Sequence, residues 1–173
     1  LSAYFTELSR AMEMIGSHPR AVFMGQAVAC AGTAMSRTLA GVPKNKLIEL
    51  PVAEDMQMGM AIGAAMNGDM PVCIYPRFNF LLLAMSQLVL HLDKLPLYSR
   101  YRPRVIIRTA IATPDPLDPG PQHLGDYTEA FELMLTTVVV RRLDDAARIV
   151  PEYMDATQRL ESTLLVERTE LYT

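Results

Sequence analysis

Three side chains combine useful chemistry with a telling position: Glu54, Phe80 and His123. Glu54 lies in ELPVAEDMQMGMAIG, residues 49–63, where an apolar extended run gives way to a helix rich in Gly, Ala and Met. A carboxylate at a helix start is favoured by the helix dipole whatever else it does. His123, the end of PQH, is either an imidazole placed to move protons near neutral pH or a loop histidine bonded to a carbonyl. Phe80, in RFNF, stands just after a strand and has a flat apolar ring that can fill core. Arg77 opens that turn and can meet an anionic substrate or an interface carboxylate. Met56, two residues beyond Glu54, can touch a ligand or pack its own helix.

Commoner chemistries find no footing. Gly59, Gly63 and Gly68 have neither the dinucleotide spacing nor a Walker Lys-Ser/Thr pair, so Gly59 and Gly63 are expected to let a helix or strand approach the backbone closely. No Gly-x-Ser-x-Gly elbow occurs. Cys30 and Cys73 lack a basic activator and any zinc-type spacing, and both are expected to be reduced, packed thiols.

The elements that must position these groups follow from the pattern. The chain has 173 residues, half of them hydrophobic, which is one domain's worth of core spanning 1–173. Its net charge of -3, with Lys and Arg scattered, gives no footprint for nucleic acid or an anionic membrane. The longest apolar run, 80–92, is too short for a bilayer, and no signal-peptide pattern opens the sequence. A soluble cytoplasmic protein is expected. Twelve methionines and few charges point either to a surface covered by a partner, in an obligate oligomer, or to a large core.

SAYFTELSRAMEMIG reads as an amphipathic helix capped by Ser2. Short apolar runs at 21–24, 47–50, 72–75, 105–108, 137–140 and 164–166 lack polar alternation, as strands buried on both faces do. Helical patterns at 55–67, 79–94, 127–135 and 144–162 lie between them. The order predicts an α/β fold, a mainly parallel sheet of about six strands with helices on both faces. The Pro-rich segment 113–122, TPDPLDPGPQ, reads as a rigid, shaped loop. In such folds ligands gather at the carboxyl ends of the strands, the rule that selects Glu54, Phe80 and His123.

With these residues in view, PVAEDMQMGMAIGAAMNGDMPVCIYPRFNFLLLAMSQL resembles the pyrimidine-binding domain of thiamine-diphosphate enzymes. The β subunits of pyruvate and branched-chain 2-oxo acid dehydrogenases are the most similar, then transketolase. The resemblance runs from VFMGQAV through GPQH and DYTEAF to LLVERTELY, nearly the whole chain. It implies that Glu54 shares a proton with the aminopyrimidine ring and so promotes the tautomer that activates the thiazolium carbon. It implies that Phe80 and Met56 line the cofactor and that His123 reaches its reacting end. Arg77 stands where relatives carry an apolar residue, Pro76 where they carry a polar one, and the Pro-rich loop where they carry glycines.

The Gly-Asp-Gly segment and later Asn that hold Mg2+ and diphosphate in the family are absent from the sequence, as is the third domain of the β subunits. The resemblance therefore implies half a site, completed by an α-type subunit carrying the diphosphate and Mg2+, most simply as α2β2. The expected activity is decarboxylation or ketol/acyl transfer on a 2-oxo acid or ketose. The alternative is a non-catalytic partner or binding module with the same fold.

Overall fold

Six short apolar runs form the sheet of this chain, whose computed structural model describes residues 1–173 apart from Ala31, Pro116 and Leu117. Two of those three belong to the segment 113–122, so that part of the expected shaped loop lies outside the described residues. The strands are β1 Ala21–Gly25, β2 Leu47–Glu49, β3 Met70–Tyr75, β4 Ile106–Ile111, β5 Val139–Arg142 and β6 Thr163–Arg168. All pairings are parallel, in the order β2-β1-β3-β4-β6-β5. The central β3 and β4 are buried at every residue, as continuous apolar runs require. The edge strands β2 and β5 depart from that expectation, being only partly buried.

Seven α-helices accompany the strands among the described residues: α1 Ala3–Ser17, α2 Ala34–Arg37, α3 Glu54–Met66, α4 Phe78–Leu82, α5 Leu95–Tyr98, α6 Thr128–Met134 and α7 Ala146–Gln158. Ser2 caps α1 by accepting from the Phe5 N–H at 3.1 Å. Side chains alternate across the pleat. Val72 and Ile74 face a core of Leu8, Met12, Ile149 and Tyr153 under α1 and α7. Cys73 and Tyr75 face the opposite core with Met58, Phe78, Leu88 and Phe131. Each fully buried Leu or Phe in these layers contributes about 2 kcal/mol.

The helix expected over 79–94 is broken. After α4 the chain takes a tight turn and re-enters as a π-helix, Ser86–Leu92, before α5. Its last turn is one residue wider than an α-helical turn, with the Asp93 N–H reaching back five residues to the Leu88 carbonyl. The buried Asp93 that follows gathers the N–H groups of Thr136, Thr137 and Val138 on Oδ1 at 2.9, 2.7 and 3.0 Å, and Lys94 donates to Oδ2. A uniform α-helix counts only residues per turn; here a carboxylate that must meet three backbone donors changes the count. Two smaller expectations also fail inside the chain. Gly63 has no neighbour within 4 Å of where a Cβ would be, and Gly59 would meet Gln87 only at ordinary contact, 3.7 Å, so neither is a site of close packing. Cys30 is exposed rather than packed, whereas Cys73 is buried, and burial raises its thiol pKa to about 11.

One buried ion pair crosses the sheet. Arg108 on β4 and Glu167 on β6 are fully buried and bonded through two nitrogens and two oxygens. Tyr153 and Tyr172 also donate to the Glu167 carboxylate. Burial opposes the Arg108 charge, but Glu167 beside it holds the guanidinium pKa above its ordinary value. Burial and then the Glu167 charge push both tyrosines well above theirs.

Glu167→Gln leaves Arg108 without a counter-charge and should cost about 3–5 kcal/mol in chemical denaturation. Asp93 gives a pH test. Burial raises its pKa, but the Lys94 bond and the three N–H bonds overcome this and leave it below the ordinary 3.8. A depressed carboxylate stabilises fully above the unfolded value, and that stabilisation fades as pH falls through the folded one. Asp93→Asn should therefore be less stable than the parent by about 1–3 kcal/mol at neutral pH. In urea titrations at stepped pH the gap should close below 3.8.

Candidate functional site

The expected groups fall after the carboxyl ends of the strands, in two clusters. Glu54 is the first residue of α3 and is only 6% exposed. Three contacts place it. Tyr75, the last residue of β3, donates its hydroxyl to the Glu54 carbonyl at 3.0 Å. Gln57, one turn further along α3 and fully buried, donates Nε2 to the Ile74 carbonyl at 2.8 Å. Gln26, just past β1, donates Nε2 to Glu54 Oε1 at 3.2 Å, the only hydrogen bond to this carboxylate among the described residues.

Backbone geometry explains the fit of these three. Gly25 has φ +153, and a Cβ there would lie 2.3 Å from the Ile74 carbonyl oxygen and 3.2 Å from Gln57 Nε2. Only glycine lets β1 and the Gln57 amide share that carbonyl's surroundings. Ala27 then takes φ 53, a left-handed conformation costly for a residue with a Cβ. Glu49, at the end of β2, compensates: its carboxylate accepts from the N–H groups of Ala27, Val28, Ala29 and Cys30 at 2.6, 2.8, 2.7 and 3.3 Å. Burial raises the Glu49 pKa, yet these four donors leave it below its ordinary value. Glu49 thus fixes the loop whose first residue, Gln26, holds Glu54.

Phe80 and His123 form the second cluster. Phe80, half-buried in α4, meets the His123 ring edge-on with centroids 5.6 Å apart. His123 Nδ1 pairs with Asn79 Oδ1 at 2.9 Å. Because that oxygen accepts, Nδ1 carries the proton and Nε2 is the free base. Burial, and then the positive charge of Arg77, hold the imidazole below its usual pKa. Met56 is exposed on α3, two residues from Glu54, and is not part of the core. Behind Arg77, on the sheet face that carries α1, a cavity of about 300 Å³ is lined by Thr33, Arg37, Pro76, Arg77, Thr113 and Tyr172, among others. Glu54, Phe80 and His123 do not line it; Arg77 stands between the two regions.

Gln26, Glu49, Gln57 and Asn79 are the positioning residues that sequence reasoning missed. Glu49 and Gln26 had a signal, since each is a polar residue closing an apolar strand. Their partners are a loop and a helix start remote in sequence, which no local pattern connects. No set of three or more His, Cys, Asp or Glu side chains among the described residues is grouped to hold a metal ion. No helix among them is long and apolar enough to cross a membrane.

No protein-family model matches the chain, and no curated protein matches it by sequence. Solved structures do match: 93 chains are similar in fold. Among them is a split gene transketolase, described as an inactive β4 tetramer. It superposes with a TM-score of 0.62 at 18% identity over 94% of this chain. The chain spans about half the length of that structure, 50%. At such identity the likeness is one of fold, and the fold of this chain is that of a transketolase β-subunit domain, a six-stranded parallel sheet flanked by helices on both faces.

Proposed function

We propose that the chain is the pyrimidine-side half of a split thiamine-diphosphate enzyme, a β-like subunit acting on a 2-oxo acid or a ketose. The observation that carries this reading is Glu54, an acid buried at the carboxyl edge of a parallel sheet with one oxygen held by Gln26. A carboxylate brought out of water and given a single neutral donor has acceptor capacity to spare. The residues present fit the aminopyrimidine in kind: a buried carboxyl for a ring nitrogen, the half-buried ring of Phe80 for its face, and the exposed thioether of Met56 beside them. Thiamine diphosphate, when bound, supplies a carbon nucleophile for carbonyl groups.

This chain's own residues have the remaining work. Glu54 holds or shares a proton at Oε2, its position set by Tyr75 and its Oε1 occupied by Gln26. His123 takes or returns a proton at Nε2, with Asn79 fixing the tautomer. Arg77, which lines the adjoining cavity, offers a guanidinium to a substrate carboxylate or phosphate. Diphosphate and Mg2+ belong, in this reading, to an α-type partner in an α2β2 assembly. Support for a partner comes from α3, whose Met56, Met60, Gly63 and Met66 form an exposed apolar face with no neighbour from this chain at Gly63. The inactive β4 tetramer of the structural neighbour is a precedent for such a chain assembling without activity.

The test is co-expression with a neighbouring reading frame that carries a Gly-Asp-Gly segment, followed by thiamine diphosphate binding and decarboxylation or carboligation assays. Glu54→Gln should lower turnover by about 10²–10⁴-fold while the complex still assembles; undiminished turnover would sink the mechanism. The His123 assignment can be checked in the chain alone by NMR. Its imidazole should titrate below 6.5, and Arg77→Gln should move the midpoint upward.

A further inference from the structure

At the opposite end of the sheet from Glu54 the chain carries a second feature that the thiamine reading leaves unused. The segment 97–104 reads LYSRYRPR, three arginines and two tyrosines in a chain of net charge -3. It runs from the last residues of α5 toward β4 and borders an apolar groove of about 460 Å³, walled by Leu92, Pro96, Leu97, Pro103, Val139 and Leu160. Pro103, Val139 and Leu160 belong to the segments that enter β4, β5 and β6, so the groove opens at the strands' amino ends.

The groove is built rather than incidental. Ser162 staples its floor, donating to the Pro103 carbonyl at 2.8 Å and accepting from the Val105 N–H at 3.0 Å. Asp93 locks the Thr136–Val138 wall through three backbone bonds. The arginines are held by neutral groups. Arg102, which lines the groove, donates to the carbonyls of Ser99 and Tyr101 at 2.8 and 3.1 Å. Arg104 reaches the Arg159 carbonyl, next to Leu160, at 3.3 Å, and Arg100 lies over the Tyr101 ring. None of the three is in an ion pair among the described residues, although most other arginines are. One acid, the exposed Glu161, stands in the lining.

Three uncompensated charges beside exposed Leu97, Tyr98, Tyr101 and Leu160 make an unusual combination for a free surface. Arg and Tyr are the residues enriched where protein partners bury binding energy, whereas free solvated surface favours Lys. Three arginines in one segment, with Arg102 in the groove wall, exceed what one small anion could neutralise. We propose that this groove docks an acidic peptide segment of a partner protein, apolar side chains in the groove and carboxylates against Arg100, Arg102 and Arg104. It would tether the chain at the end remote from the candidate catalytic groups, independently of whether those groups use thiamine.

The probe is a short fluorescein-labelled peptide with leucines and a phenylalanine set among glutamates, read by fluorescence anisotropy against the full chain. Saturable binding is expected, with little for the same peptide carrying lysines in place of glutamates. Arg100→Glu combined with Arg102→Glu should weaken it on the order of tenfold or more, about 1.4 kcal/mol or above. Leu160→Ser, an exposed change that leaves the fold intact by circular dichroism, should weaken it as well. Failure of the glutamate peptide to bind, or equal binding to both variants, overturns the proposal. So does preferential binding of a uridine-rich oligonucleotide or of phosphatidylserine vesicles in parallel titrations.

Discussion

The carboxyl edge of the sheet depends on the hydrogen bond from the Gln57 amide to the Ile74 carbonyl. An extended strand has one carbonyl per residue to satisfy, and at the end of β3 the neighbouring strand turns away. Gln57 supplies the missing donor from inside a helix, which can happen only if α3 lies flat against the strand end. Gly25 makes room for it, since any side chain there would strike the same carbonyl. With Gln57 fixed, Glu54 one turn earlier faces the sheet edge, and Tyr75 holds the first carbonyl of the helix. The amide is fully buried and its Oε1 has no partner among the described residues. That cost is tolerated because the donor half cannot be replaced by an apolar residue without orphaning Ile74.

The other half of the molecule is tied by charge. The Arg108–Glu167 pair joins β4 to β6, and its two tyrosines bring in α7 and the chain's last turn. A buried pair adds little net stability over an apolar one, but it admits few arrangements. It therefore fixes the register of the strands whose ends carry Thr113 and Thr169, both lining the cavity behind Arg77. The two ties act on different faces of the sheet. Arg77 serves two regions, since its charge reaches His123 and its side chain lines the cavity.

Sequence reasoning located what is local and periodic. All six strands overlap the expected apolar runs, β5 two residues later than its run, and the central strands do so because burial on both faces leaves a pattern in the residues themselves. The alternation of strand and helix gave the parallel architecture for the same reason. It placed Glu54, Phe80 and His123 at strand ends, and the structure brings the last two together. What stayed hidden is set by long-range polar accounting. Asp93 reshapes its helix by serving donors more than 40 residues away, and Glu49 serves four amides about 20 residues before it. No hydrophobic pattern records such a demand. Cys30 was misread because an apolar neighbourhood in sequence became an exposed loop held from the outside by Glu49.

The same accounting bears on why the chain shows an oily outer helix. In α3, Gln57, Met58, Ala61 and Ile62 are spent on the sheet, while Met56, Met60, Gly63 and Met66 face out. A helix apolar on both sides is stable in water only at a cost in exposed surface. Methionine softens that cost, since its flexible side chain can accommodate a partner of imperfect fit. Glycine at 63 adds the one feature that a merely oily surface does not need, a place where another backbone could come close. The packing role that the sequence suggested for Gly63 is unmet within the chain. In the proposed assembly, a partner on this outward face would cover the helix whose first residue, Glu54, the chain already buries by itself.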